Sequence, residues 1–366
     1  MATTQTPPLL AELLQAPGPA GFEERATEVW RRAASFAELS GDRVGSTFAR
    51  VGAGAPVLGV FGHIDEIGLI VSHIDEKGLL WFSPLGYWDA QILVGQRVEV
   101  QGREGAVPGV IGRKPIHVMF ESEELKKAVE LRDLHVDIGA TSFAEATALV
   151  AHGDPIVISG PPLAVAGDRL VSKSMDNRLG AYIALEALRR HAEDRGGGEG
   201  SFVAVASVRE ELGLHGAKTA AFALDPDVAI TVDVSHESAA PGMEEKFEGK
   251  HEFGSGAVIG RAPILSDRLT GALIETAEEE GIPYTVRGTG LIGALGLSTG
   301  TDADATNVSR AGVPSGVISI PLRYMHSPVE MVDLRDVEAC VRLLAAFARR
   351  LTPALAAELD PSEGLS

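Results

Sequence analysis

The sequence predicts an α/β protein interrupted by a β-rich module. Three observations point there. Residues 55–63, 201–208 and 227–234 are nearly continuous apolar runs, the pattern of strands buried on both faces of a parallel sheet. Stretches of helical period alternate with such runs, as βα units require. Between residues 72 and 165 the texture changes to short β-rich segments separated by Gly and Pro.

Taken in order, residues 8–16 and 22–36 read as amphipathic helices, punctuated by Pro-Gly-Pro at 17–19. "APVLGVFGH" is the first buried strand. "LLWFSPLG", "QRVEVQG", "AVPGVIG", "HVDIGA" and "DPIVISGP" are short strands of an inserted module, with one helix expected over 121–130. The α/β pattern then resumes. "NRLGAYIALEALRRH" is a helix, 193–200 an acidic Gly-rich loop, and "SFVAVASV" a buried strand. "HGAKTAAFAL" is a helix, "DVAITVDV" a strand, "GAVIG" a short strand and "SDRLTGALIETAEEE" a helix. "SGVISIPL" is a strand, and 333–351 a long closing helix. The expected division is a discontinuous α/β domain, 1–71 and 166–366, around an insertion at 72–165.

Composition narrows the function. The 366 residues are 45% hydrophobic but only 5% aromatic, which suits an α/β enzyme better than an aromatic-rich binding module. A net charge of −19 argues against nucleic acid or anionic membrane as partners and would attract a cationic group such as a peptide's amino terminus. Cys340 is the sole cysteine and sits in an apolar helix as core filler, so no intrachain disulfide forms. The N-terminus lacks the marks of a secretory leader, and no apolar run is long enough to span a bilayer. A cytoplasmic enzyme is the expectation.

In open α/β sheets, reactive residues gather at the carboxyl ends of strands. After "VLGVFG" comes His63, with Asp65 two positions on. After "RLVSKSM" comes Asp176 at a helix start. "FVAVASV" is followed by Arg209, Glu210 and Glu211, "VAITV" by Asp233, and "GVISIPLRYM" by His326. Taken singly, an Asp there is an N-cap and a His an ordinary surface residue. Together they form a mixed N/O donor set that suits zinc, cobalt or manganese and lacks the thiolates of a structural zinc site. One metal does not need this many ligands, whereas two sharing a bridging carboxylate would use them all.

Other motifs weigh less. "GTGLIG" (288–293) matches GxGxxG, but poor helix sequence follows and no acidic residue stands about 20 positions on, so it reads as a flexible loop near the site. No GxSxG elbow occurs. His135, His152, His191 and His251 lack partners at ligand spacing and read as surface residues. His117 and His236 have suggestive neighbours and are candidates for lining the pocket. The tetrapeptide HIDE occurs at 63–66 and again at 73–76. The first copy ends a buried strand, where the period of two puts His63 and Asp65 on one face. The second sits before "KG" and a return strand, so His73 belongs to a β-hairpin.

Together, "GHIDEIG" (62–68), "SMDNRLGA" (174–181), "REELGLHGA" (209–217), "VDVSHE" (232–237), "TGTDADA" (299–305) and "IPLRYMHSPVE" (320–330) resemble the tetrahedral or glutamyl aminopeptidases, a family of dinuclear metallopeptidases. Some members carry endoglucanase or cellulase labels. The resemblance runs from about residue 20 to 351. It implies a zinc-exopeptidase-like fold, with a central mixed sheet flanked by helices and an inserted β-barrel-like dimerisation domain. It implies dimers that assemble into a tetrahedral dodecamer, short peptide substrates, and two divalent metal ions per subunit, zinc first and cobalt or manganese as alternatives. By the same resemblance, His63 and Asp233 hold one metal, Glu211 and His326 hold the other, and Asp176 bridges them. Glu210 is then the general acid/base, and Asp65 orients His63. His215 and Ala257 depart from the family pattern, which has a basic Arg-type residue and often Pro there, and the loop 288–301 is long. These bear on substrate preference. A glycoside hydrolase would also use two carboxylates, but leaves both His63 and His326 without a role. A non-catalytic assembly protein conflicts with the intact Glu210.

Overall fold

The structure is a computed structural model and describes residues 6–119, 126–194, 200–290 and 297–362. The chain opens with helices α1 (Pro8–Gln15) and α2 (Glu24–Ala33), which bury Leu10, Leu13, Leu14 and Trp30 at helical spacing. A hairpin of β1 (Glu38–Gly41) and β2 (Thr47–Ala53) leads into β3 (Val57–His63). Strands β4 (Gly68–Ile74), β5 (Leu80–Leu85), β6 (Arg97–Gly102), β7 (Gly105–Gly112), β8 (His135–Asp137) and β9 (Pro155–Ile158) follow, with short helices α3 (Ala90–Leu93) and α4 (Phe143–Leu149) among them. Then come β10 (Leu163–Val165), β11 (Arg169–Ser172), α5 (Met175–Glu193), β12 (Gly200–Ser207), α6 (His215–Leu224) and β13 (Val228–His236). The last part holds α7 (Glu245–Glu248), β14 (Ala257–Arg261), α8 (Asp267–Glu279), β15 (Tyr284–Gly288) and α9 (Ala303–Thr306). It ends with β16 (Ser315–Arg323), β17 (Glu330–Asp333), α10 (Leu334–Arg350) and α11 (Pro353–Leu359).

An eleven-stranded mixed sheet runs β1-β2-β12-β3-β13-β16-β17-β11-β10, with β14 and β15 attached at β16. Its centre, β12-β3-β13-β16, is parallel. These four strands are buried almost throughout, which is why they read as unbroken apolar runs. The larger core packs α1, α2, α5, α8 and α10 against one face. Ala220 and Ala221 of α6 pack on the other face, against Phe48, Phe61, Val203 and Val205. Cys340 is fully buried in α10, as expected of filler.

The second unit is a closed barrel, β4-β5-β8-β7-β6-β9. Its interior holds Leu69, Val71, Leu80, Val98, Val100, Ile111, Val136 and Ile156. The second HIDE copy lies in its first hairpin. His73 is exposed and pairs with Trp81 across it, while the Asp75 carboxylate accepts from the Lys77 and Leu79 amides and Gly78 takes φ +86°.

Some expectations change. Asp233 lies inside β13, which runs on to His236. The helix expected over 121–130 falls partly outside the described residues, and 126–130 form no α-helix; α4 lies further on. The loop at 193–200 begins with the end of α5, and 195–199 lie outside the described residues. His251 is buried, with Nδ1 2.8 Å from Thr285 Oγ1, and is not a surface residue. Among the described residues, no helix is long and apolar enough to cross a membrane.

Candidate metal centre

Two glycines let the site form. A Cβ on Gly62 would lie 2.2 Å from the Gly180 carbonyl carbon, and one on Gly180 would lie 2.4 Å from Val232 O. Only glycine permits this approach. It brings the end of β3, the first turn of α5 and the middle of β13 together, and with them His63, Asp176 and Asp233. The first turn of α5 is not helical at Asp176 and Asn177. Asn177 holds it to the sheet, donating from Nδ2 to Val232 O at 2.8 Å.

The remaining members arrive on bends. Arg209, just past β12, takes φ +56°, and Tyr324 and His326, just past β16, take +60° and +58°; Ser174, before α5, takes +61°. Each such residue costs on the order of 1 kcal/mol, and such outliers cluster at functional sites. The turn after Arg209 lets both Glu210 and Glu211 reach the site, which neighbours in a straight strand could not do. Asp65 holds that turn: its two carboxylate oxygens accept the Glu210 and Glu211 amides, each at 3.1 Å. Asp65 Oδ1 also lies 3.4 Å from His63 Nδ1.

The geometry centres on Asp176. Its Oδ1 is 3.2 Å from His63 Nε2 and its Oδ2 is 3.4 Å from His326 Nε2. His326 Nε2 is also 3.3 Å from Glu211 Oε1, and Glu210 Oε2 is 3.9 Å from His63 Nε2. Donor atoms of His63, Asp176 and Glu211 lie within 4.8 Å of one another, as do those of His63, Glu210 and Asp233. His63, Asp65, Asp176 and Asp233 are all buried.

Electrostatics show what the cluster needs. Burial raises the Asp233 and Glu210 carboxyls well above the usual range; His63 pulls both down, while neighbouring carboxylates add to the rise. For His326, burial would lower the imidazole, but contacts with Asp176 and Glu211 overcome it and push it up to about 11. Burial lowers His63 as well, but Glu210, Asp176 and Asp65 together hold it well above its ordinary value. This site gathers more negative charge than it can carry ionised in a low-dielectric setting. Divalent cations would supply the missing charge, and the mixed imidazole and carboxylate donors fit them.

Several contributors had no role assigned from sequence. Glu330, buried at the start of β17, accepts from the His326 amide at 2.9 Å and from the Asp176 amide at 3.2 Å. Its only signal was its place four residues after His326 in a quoted motif. Asp302, also buried, accepts from Ser207 Oγ at 2.5 Å. Burial lifts its carboxyl to about 6. Below α5, the Glu66 carboxylate gathers Lys173 at 2.6 Å, Arg178 at 3.3 Å, the Gly18 amide at 3.1 Å and the Ser174 hydroxyl. Arg178 also donates to Leu13 O and Ala16 O, so this buried network ties the N-terminal segment to the helix that carries Asp176. Such a network fixes geometry more surely than it adds stability.

Other sequence candidates lie elsewhere. His117 is exposed in a short turn after β7. His236 ends β13 and, three positions from Asp233, points to the opposite face. His215 is the exposed first residue of α6, and Ala257 is buried at the start of β14. Of the loop 288–301, residues 291–296 lie outside the described set; in the rest, Asp304 accepts the amides of Ser298, Thr299 and Gly300.

The imidazole and carboxylate cluster at the carboxyl ends of the sheet is thus suited to holding divalent cations. The chain belongs to the M42 glutamyl aminopeptidase family, whose model matches residues 45–343. It is thereby an aminopeptidase by class. A lysyl aminopeptidase from Pyrococcus furiosus is 32% identical over 351 residues, 94% of this chain and 97% of that one. The TET aminopeptidase structure from a marine-sediment Thaumarchaeota archaeon superposes with a TM-score of 0.90 at 35% identity, covering 96% of this chain and 98% of the other. The Pyrococcus horikoshii TET1 peptidase, which can assemble into a tetrahedron or a large octahedral shell, gives a TM-score of 0.82 at 32% identity, over 94% and 99% of the two chains.

Proposed function

We propose that this protein removes N-terminal residues from short peptides at a dinuclear metal centre. The observation that carries the proposal is the Asp176 carboxylate, which turns one oxygen toward each imidazole, at 3.2 and 3.4 Å. A carboxylate so placed could bridge two cations. His63 and Asp233 would complete one metal site, and Glu211 and His326 the other. Zinc is the first choice for this donor set, with cobalt and manganese as alternatives. When bound, two such cations polarise the scissile carbonyl and acidify an attacking water.

The chain's own residues do the rest. Glu210 takes a proton from the attacking water and returns it to the leaving amine. A carboxyl raised well above its usual range by burial is suited to this, because a general acid/base works best with a pKa near the operating pH. Asp65 sets the orientation of His63 and of the Glu210–Glu211 turn. The surrounding carboxylates attract the substrate's free amino group, which confines attack to the first peptide bond.

Several broader features belong to the same proposal. The insertion, expected at 72–165 within a catalytic domain of 1–71 and 166–366, is the dimerisation domain of a homo-oligomer built from dimers, a tetrahedral dodecamer in its complete form. Its barrel strands run from β4 (Gly68–Ile74) to β9 (Pro155–Ile158), while β10 (Leu163–Val165) belongs to the larger sheet. The compartment is the cytoplasm, in keeping with a single buried cysteine. A glycosidase would need two carboxylates alone and would give no reason for two imidazoles to share Asp176.

The test is hydrolysis of an aminoacyl-p-nitroanilide panel spanning acidic, basic and large apolar residues, with and without a chelator. Loss of activity on metal removal and recovery on adding Zn(II) or Co(II) is expected. Activity that survives complete metal removal would sink the proposal.

A further inference from the structure

His326 makes its second ring contact with a residue from the barrel. Its Nδ1 lies 2.9 Å from the main-chain oxygen of Tyr87, between β5 and α3. A carbonyl can only accept, so Nδ1 must carry the hydrogen. In the neutral ring, Nε2, which faces Asp176 and Glu211, then carries the lone pair that can bind a cation in place of a proton.

The neighbouring residues hold this carbonyl in place. Gly86 takes φ +81°, and a Cβ there would lie 2.4 Å from Ile67 Cγ2 and 3.2 Å from Glu211 Oε2. So Gly86 leaves room that a side chain would take from the Glu211 carboxylate, and the next residue's carbonyl meets the His326 imidazole. Trp88 anchors the turn, donating from Nε1 to Gly68 O at 3.0 Å while it packs on the barrel core. The Tyr87 side chain is 70% exposed, so the main chain makes this contact. Among the described residues, His63 has no counterpart in the barrel: Asp65, its flanking carboxylate, comes from the link just after β3.

We propose that the Gly86–Tyr87–Trp88 turn of the barrel is a positioning element for one half of the site. It fixes the ring form and orientation of His326 and the spacing to Glu211, so one metal site depends on the docked barrel and the other does not. The proposal rests on the dinuclear reading above.

The test is Co(II) titration of the full-length, metal-stripped enzyme against a competing chelator. Wild type should bind two ions. Gly86→Ala should weaken one of the two by about 10–100-fold, the usual effect of losing a ligand's supporting contact, and leave the other within about twofold. Thermal unfolding checks that the variant is folded. Should it not fold, Trp88→Phe keeps the ring and the left-handed glycine but loses the indole hydrogen bond; a several-fold weakening of the same single ion is expected. Equal weakening of both ions, or no change in either for the folded variants, overturns the positioning role while leaving the dinuclear reading intact. A wild-type protein that binds fewer than two ions overturns the dinuclear reading, and this proposal with it.

Discussion

The two histidines of the site are held by different means. His63 is the last residue of β3, flanked by parallel β12 and β13 in the middle of the sheet, and its side chain is 2% exposed. His326 sits on a bend beyond β16 with a left-handed backbone, and its side chain is 28% exposed. A strand end inherits its position from the ladder: His63 pairs with Ser207 of β12, and the pairing with β13 ends two residues before it, at Phe61. A bend must be propped from outside, and here Glu330 holds the His326 amide while Tyr87 holds the ring. One half of the site follows from the sheet; the other is assembled from separate pieces of chain.

The comparison can be broken most directly by removing each imidazole. In metal-free protein both changes should destabilise, because each leaves the buried carboxylates around Asp176 short of a cationic partner: His63→Ala by about 3–5 kcal/mol, and His326→Ala, whose side chain is more exposed, by less. Both should abolish binding of one metal. Thermal melts with equal losses would show that the two halves are equally built in. Next in size is Glu210→Gln. Turnover should fall by about 10²–10⁴-fold with two metals still bound by elemental analysis; an active variant would put the acid/base elsewhere.

Asp65→Asn sharpens the same contrast. It should weaken one metal by about 10–100-fold, and because Asp65 also holds the Glu210 and Glu211 amides, turnover at saturating metal should fall too. Loss of metal affinity with turnover fully restored by excess metal would confine Asp65 to orienting His63. The smallest effect is expected at the other HIDE copy. His73→Ala should change stability by no more than about 0.5 kcal/mol and leave peptidase rate and metal content alone. Any loss of metal there would undo the distinction between the two copies.

Much of this was legible in the sequence for a physical reason. Strands buried on both faces cannot hide their composition, so β3, β12, β13 and β16 were readable as apolar runs, and the polar residues that end three of them stood out. Asp233 was read as following its strand, whereas β13 continues past it to His236. The charge and aromatic content set a class but no geometry. The hairpin β1–β2 and helix α11 went unread, being short, exposed or weakly periodic.

By itself, then, the sequence determined the alternation of elements, the presence of an inserted β-rich module, and the list of residues able to meet at the sheet's edge. Only the tertiary structure decided how they meet. Asp176 faces two imidazoles because glycines 62 and 180 let strand and helix close to contact, which no local pattern reveals. Glu330 and the Tyr87 carbonyl support His326 through contacts between pieces of chain brought together only by folding. A main-chain oxygen is the same atom in every residue, so its role is invisible until the fold gives it a neighbour.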